Sequence, residues 1–308
     1  MELNSLKIGV LMGGVSSERD ISLQSGEAVY QALKSAGRDV CSVDLQTDRE
    51  EQLKKQIKES RIDIAFIALH GRMGEDGTIQ RILESMGILY TGSGVEASQL
   101  AMNKVLSHKL FKKNGLPVPE YTVIQGISDQ AVQTFPVPLV VKPASEGSSL
   151  GITIVKEAKA VSAAVQVAAK FSQEIILERY IAGRELTVGI LQEQALPVIE
   201  IRPKKEFYDR EAKYQKGLTD YLVPAPIENK TAEQLQNLAL EACRILGCRH
   251  FARVDFLLDK SGNPFILEVN TIPGFTALSL LPMAAKEVGI GFVELCQKML
   301  SLAYAEKK

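Results

Sequence analysis

Arg253, Asp255, Glu268 and Asn270 are the residues whose types and spacing most directly suggest chemistry. They lie in FARVDFLLDKSGNPFILEVNTIPG, residues 251–274, where two runs rich in aromatic and branched apolar residues flank the turn signal Lys260-Ser261-Gly262-Asn263-Pro264. That pattern predicts a β-hairpin. Strand alternation puts Arg253 with Asp255, and Glu268 with Asn270, on one face, and sends Val254 and Val269 to the other. Two carboxylates and a carboxamide gathered on one face repel and are costly to desolvate unless positive charge sits between them. Oxygen ligands of this kind suit Mg²⁺, which takes few protein carboxylates and fills its other positions with water and phosphate oxygens. The competing reading is a polar edge hairpin carrying a surface ion pair, and the rest of the chain has to decide.

The elements that must position this hairpin begin with an alternation of strands and helices. A short apolar run over residues 6–12 ends in Gly13-Gly14-Val15-Ser16-Ser17-Glu18-Arg19, and helical spacing follows from Ile21 to Ala36, stopping at Gly37. A βα turn of this kind offers backbone N–H groups to a ligand, but it lacks the G-x-G-x-x-G spacing of dinucleotide sites. Glu18 is out of place on an anion-greeting loop. It either caps the helix or grips a cation such as a substrate ammonium. A second buried strand, 63–69, runs into His70-Gly71-Arg72-Met73-Gly74-Glu75-Asp76-Gly77. Such units predict an open α/β sheet with its ligand crevice at the strand C-termini, where Glu18 and His70 would both lie.

Helical spacing from Asn103 to Asn114, with Lys104 near its start, is broken by Gly115-Leu116-Pro117-Val118-Pro119. The run Pro136 to Pro143 reads as a strand carrying Lys142 at its end, followed by the small-residue loop 144–151, ASEGSSLG, and the strand 152–155. Strand, loop, strand is not a Walker A motif, yet such a loop can cover phosphates with backbone N–H groups. The next strand ends in Glu178-Arg179-Tyr180, where an acid could accept from an adenine amino group beside an aromatic ring; alone this signal is weak. Residues 207–217 read as a long charged loop with aromatics, and residues 231–246 as an amphipathic helix with Thr231 as N-cap and Gly247 beyond its end. Residues 278–286 and 292–304 have the spacing of two further amphipathic helices.

A chain of 308 residues is long enough for two or three packed units, and 36 Lys+Arg against 37 Asp+Glu leaves a net charge of -1, which argues against nucleic acid or an anionic membrane as partner. The four cysteines form no C-x-x-C pair and read as reduced thiols. No apolar stretch approaches spanning length and no signal segment is visible, which predicts a cytoplasmic protein.

GGVSSERDIS, ALHGRMGEDG, YTGSG, NK, VKPASEGSSLG, FYDREAKY, ARVDF and LEVNTIPGFT, in this order from Gly13 to Thr276, resemble the motifs of the D-alanine:D-alanine ligase family within the ATP-grasp superfamily. The resemblance implies an N-terminal open α/β, Rossmann-like domain (1–102) and two α+β subdomains (103–185 and 186–308) that clamp ATP and Mg²⁺ or Mn²⁺, with two ions per site. It implies that Glu18 holds the first D-alanine's ammonium with Ser148 and Tyr214 closing the site, and that His70 lies near that substrate's carboxylate. Lys104, Lys142 and Lys213 would bind ATP phosphates, Glu178 and Tyr180 the adenine, and Glu185 the ribose. Asp255, Glu268 and Asn270 match the metal ligands. Arg253 and the Gly274 N–H match the oxyanion site, and Ser279 with Leu280 the pocket for the second D-alanine's carboxylate. Tyr180 departs from relatives that carry Trp there. The implied reaction is ATP-dependent ligation of two D-alanines through an acylphosphate, for peptidoglycan precursor synthesis, in a homodimer whose loops 144–151 and 207–217 act as lids. Alternatives are a D-alanine:D-lactate or other ATP-grasp ligase, a nucleotide sensor without turnover, and a dinucleotide oxidoreductase. The sensor is disfavoured because a binding module needs no oxyanion arginine, and the oxidoreductase by the missing glycine fingerprint.

Overall fold

The computed structural model describes residues 3–125, 130–204, 215 and 217–306. Its first sheet is parallel, in the order β2 (Val40–Leu45), β1 (Ile8–Gly13), β3 (Ile64–Ile67), β4 (Leu89–Tyr90). Helices α1 (Arg19–Ser35), α2 (Glu50–Ser60), α3 (Thr78–Ser85) and α4 (Val95–Met102) connect and follow these strands. Every residue of β1 and β3 is buried, as expected of parallel strands covered on both faces.

Helix α5 (Lys104–Lys113) opens the next unit, and the Asn103 side chain caps it by accepting from the N–H groups of Val105 at 3.0 Å and Leu106 at 3.1 Å. An antiparallel sheet follows in the order β5 (Tyr121–Ile124), β8 (Ile175–Arg179), β6 (Leu139–Pro143), β7 (Thr153–Val155). The short helix α6 (Ala131–Thr134) and α7 (Val161–Ala168) cover it, burying Val132, Ala164, Val165 and Ala168 against Leu139, Val141 and Leu177.

The third sheet runs β12 (Thr219–Leu222), β11 (Ile199–Pro203), β9 (Gly183–Leu191), β13 (Phe251–Asp259), β14 (Pro264–Asn270), with β10 (Gln194–Ala195) paired to β9. The predicted hairpin is β13 with β14: Arg253 pairs with Asn270 and Asp255 with Glu268, and a register shift follows at Asp255/Phe256. Helix α8 (Asn229–Leu246) packs Leu235, Ala239, Ala242 and Leu246 against Val188, Val254, Phe256 and Val269. It starts earlier than predicted. Thr231 lies inside it, and Glu228, in extended conformation, holds the N-cap position without a side-chain cap. Ser, Thr or Asn near a helix start marks the region of a cap rather than its register.

Helices α9 (Leu280–Glu287) and α10 (Phe292–Ala305) return to the first sheet, so Leu281, Leu295, Met299 and Ala303 share a core with Ile8, Val10, Val29 and Phe66. This return brings residues 271–275 beside the ends of the first sheet's strands. No helix among the described residues is long and apolar enough to cross a membrane.

Candidate active site

The polar face of the hairpin is already charge-compensated by the protein. Arg253 donates through Nε and Nη2 to the two oxygens of Asp255 at 2.9 and 2.7 Å, and Asn270 Nδ2 donates to Asp255 Oδ2 at 3.1 Å. The buried Thr187 on β9, directly opposite in the ladder, donates to Asp255 Oδ1 at 2.6 Å. Glu268 takes its counter-charge from Lys104 Nζ at 3.0 Å, and the same ammonium donates to the Glu146 carbonyl at 2.7 Å. Lys104 is buried because it is the first residue of α5, and its N–H is tied to the Ala144 carbonyl at 2.8 Å. The loop following β6, the start of α5 and the hairpin are thus joined by one lysine. Two carboxylates and a carboxamide, with no sulfur or imidazole among them, fit a hard divalent ion. No group of three or more His, Cys, Asp or Glu suited to a metal occurs among the described residues, so such an ion would complete its shell with water and phosphate oxygens.

Glu18 precedes α1 at the N-cap position but makes no side-chain cap, and its carboxylate instead accepts from Ser148 Oγ across 130 positions of sequence. Of the two sequence readings, the local cap is therefore not what the structure contains. A Cβ at Gly71 would stand 2.5 Å from Glu18 Oε2, and Gly71 has φ +67°, so this position needs glycine both for its backbone and for the acid beside it. Ser148 and Ser149 also have positive φ, at 49° and 58°. His70 is buried, with Nδ1 3.0 Å from the Ile272 carbonyl and Nε2 2.9 Å from Ser25 Oγ. A carbonyl only accepts, so Nδ1 carries the proton and Nε2 accepts from Ser25, whose oxygen in turn accepts the Phe275 N–H at 3.1 Å. His70 thereby holds both ends of the 272–275 turn that contains Gly274. Ser279 Oγ accepts the Thr276 N–H at 2.9 Å on the far side of that turn, and Leu280, half-buried, opens α9.

A second charged cluster lies deeper, under the β5–β8–β6 sheet. Lys142 Nζ is 2.7 Å from Glu178 Oε2, and both side chains are nearly inaccessible, at 6% and 4%. The approach is an ion pair by distance. His108 on α5 stands alongside with Nδ1 3.9 Å from the same oxygen, Nε2 donating to the Leu267 carbonyl at 2.9 Å, and its ring edge-on to Tyr121. Burial, helped by the charge of Lys142, lowers its pKa to about 4. Tyr180 is half-buried just past β8, and Glu185 is half-buried on β9. Lys213 and Tyr214 lie outside the described residues, as does most of the predicted loop 207–217.

The sequence did not single out Thr187, His108 or Ser25. His108 follows Lys104 by one helical turn and so shares its face, which was a usable signal; Thr187 is one polar residue within an apolar strand, which was a weaker one. A small cavity lined by Glu75, Lys104, Glu146, Gly147, Glu268 and Asn270 marks where these groups converge. Another surface concavity runs along the exposed side of α8, between Lys230 and Arg244, away from all of them.

Residues 110–301 match the family model described as D-ala D-ala ligase C-terminus, and residues 44–93 match that of the D-ala D-ala ligase N-terminus. The chain belongs to the D-alanine–D-alanine ligase family. It is 47% identical over 302 residues to the D-alanine--D-alanine ligase of Geobacter sulfurreducens, covering 97% of this chain and 94% of that one. The enzyme of the same name from Trichlorobacter lovleyi is 48% identical over 301 residues, covering 97% and 95%. A crystal structure of D-alanine--D-alanine ligase from Bacillus anthracis complexed with ATP superposes with a TM-score of 0.86 at 31% identity, over 98% of this chain and 99% of that one. This family member accordingly has the ATP-grasp architecture expected from its motifs, with the α/β sheet first and the two α+β units after it.

Proposed function

We propose that the chain joins two D-alanine molecules into D-alanyl-D-alanine at the expense of ATP, releasing ADP and phosphate. The observation that carries this reading is the convergence of Asp255, Glu268 and Asn270 with Lys104 and Arg253 at the hairpin end. In this reading the three oxygen-bearing side chains hold Mg²⁺ or Mn²⁺, two ions per site, whose contribution is to neutralise negative charge on the transferring phosphoryl group.

The first D-alanine binds by its ammonium to Glu18, which Ser148 orients and Tyr214 helps enclose. Its carboxylate oxygen attacks the γ-phosphorus, and Lys104, Lys142 and Lys213 hold the phosphates while Glu178, Tyr180 and Glu185 take the adenine and ribose. His70 meets the substrate carboxylate directly only by giving up Ser25 or Ile272; with both bonds kept, it acts by fixing the turn that presents the Gly274 N–H. The second D-alanine, its carboxylate against Ser279 and Leu280, attacks the acylphosphate carbon through its amine. Arg253 and the Gly274 N–H then stabilise the tetrahedral oxyanion, a contribution on the order of 3 kcal/mol per donor. Asp255 occupies Nε and Nη2 of Arg253 and so aligns the guanidinium plane. Exclusion of water protects the acylphosphate, and the 144–151 loop, through Ser148 on Glu18, serves as one lid.

The units 1–102, 103–185 and 186–308 are proposed as the functional domains, and a cytoplasmic homodimer as the working form, on the strength of the family. The deciding experiment is phosphate release from ATP with D-alanine against L-alanine, with mass identification of the product and a parallel incubation with D-lactate. D-alanine-dependent release with a dipeptide product is expected. No D-alanine dependence would reject the reading, and a depsipeptide product would reassign the second substrate.

A further inference from the structure

Helix α8 ends in a hydrogen-bonded pattern that places two thiols together. Gly247 is left-handed at φ 73°, its N–H donates to the Arg244 carbonyl at 3.1 Å, and the next N–H, of Cys248, reaches back to the Cys243 carbonyl at 2.9 Å. These are the two bonds of a Schellman motif, in which the side chain three residues before the cap and the one two residues after it pack together. Here both are cysteines, and a side-chain hydrogen bond joins them. A disulfide needs the two side chains to turn toward each other, and the Schellman pairing sets Cys243 and Cys248 on the same side of the helix end, in one apolar cluster.

The two partners are unequal. Cys243 is 5% exposed, whereas Cys248 is half-buried. The Cys243 thiol, donating to the neighbouring sulfur, lowers the Cys248 pKa and has its own raised, and Ser93 also supports the Cys248 thiolate. The other two cysteines are not activated: burial pushes Cys41 up and Cys296 up to about 12. A more exposed thiol packed beside a buried one that can resolve it is an arrangement that oxidises to a disulfide.

We propose that Cys243 and Cys248 form a modification site that a hydroperoxide converts into an intramolecular disulfide. The Cys248 thiolate attacks one peroxide oxygen, breaking the O–O bond and leaving a sulfenic acid; the Cys243 sulfur attacks that sulfur and expels its oxygen. Two thiols and one hydrogen peroxide give one disulfide and two waters. The segment affected also clasps the first unit, since Arg249 N–H donates to Ser93 Oγ at 3.3 Å, Arg249 Nε to the Gly92 carbonyl at 3.1 Å, and Gly92 N–H to His250 Nδ1 at 3.0 Å.

The test uses the whole folded protein and does not depend on its activity. Arg244 lies between the two cysteines, so trypsin separates peptides 231–244 and 245–249 when the thiols are reduced and leaves them linked when they are joined. Peroxide treatment followed by alkylation and digestion is expected to give the linked pair, reversible by dithiothreitol, while Cys41 remains alkylated. Before oxidation, iodoacetamide at neutral pH should modify Cys248 faster than Cys41, whose thiol pKa is raised by burial. In Cys243→Ser, Cys248 should advance to sulfinic acid for want of a resolving thiol. The proposal is overturned if no linked pair forms at a peroxide exposure that fully oxidises free N-acetylcysteine, or if Cys248 reaches sulfinic acid in the unsubstituted protein with Cys243 still alkylatable.

Discussion

The hairpin end and the Lys142–Glu178–His108 cluster are both built from acids facing bases, yet they differ in what the protein has done with the charge. At the hairpin, Asp255 accepts from Arg253, Asn270 and Thr187, and the groups stand at a cleft, with Arg253 and Asp255 15% and 17% exposed. In the deeper cluster the exposure of Lys142, Glu178 and His108 falls to 6%, 4% and 0%, and one Glu178 oxygen and His108 Nδ1 find no hydrogen-bond partner among the described residues. A paired acid near solvent can exchange a protein cation for an arriving metal or phosphate. A paired acid in the interior can do so only where the incoming ligand itself replaces the lost partner, because otherwise a charge remains that neither water nor protein compensates. The first arrangement suits exchange of partners during turnover, and the second holds the clamp's shape until a bound nucleotide offers Lys142 and Glu178 the new partners their proposed roles require.

The largest effect should come from breaking the interior pair. Lys142→Met leaves Glu178 without its cation, and urea unfolding should show a loss of about 3–5 kcal/mol. A loss under about 1 kcal/mol, the scale of an exposed pair, would erase the contrast between the two regions. Glu268→Gln should do the opposite: metal-dependent turnover should fall by more than the roughly 10–100-fold typical of outer ligand partners, with the midpoint of thermal unfolding nearly unchanged. Full activity at limiting Mg²⁺ would remove Glu268 from the ligand set.

Thr187→Val tests the boundary between the regions, since the hydroxyl is buried but its acceptor faces the cleft. Losing a hydrogen bond to a charged acceptor should cost about 1.5–3 kcal/mol in stability, together with weaker metal dependence; loss of stability alone would make Thr187 a purely structural residue.

The most gradual effect is the pH response of His108, spread over the window between its two pKa values. Its folded pKa lies below the unfolded value of 6.5, at about 4, because burial disfavours the cation. The unfolded chain therefore takes up a proton that the folded chain refuses as pH falls through this window. Stability is fully present above pH 6.5 and declines towards pH 4, with a slope of at most about 1.4 kcal/mol per unit for one proton. That component should vanish in His108→Gln. In Lys142→Met it should shrink, since the lysine charge that disfavours the imidazolium is gone while Glu178, which favours it, remains 3.9 Å away. An unchanged slope in both variants would mean that another group titrates.

What could be read from the chain alone was local and periodic. Alternation in 251–270 determined which residues share the hairpin's polar face, because side chains on a strand point to opposite sides by turns, and helical spacing over 103–114 located α5. Glycine placement and the strand-helix order determined the α/β class. Thr231 shows the limit of such signals, because cap residues share their preferences with the first turn. The tertiary structure alone decided that Glu18 meets Ser148 rather than its own helix end, that Lys104 compensates Glu268, that Thr187 steadies Asp255, and that His70 fixes the turn at Gly274 through Ser25, 250 positions from Phe275. The physical reason is that hydrogen bonding and charge pairing act over a few ångströms of space, whereas sequence periodicity reports only on neighbours along one element. Partners brought together by the packing of three sheets leave no periodic trace in the chain.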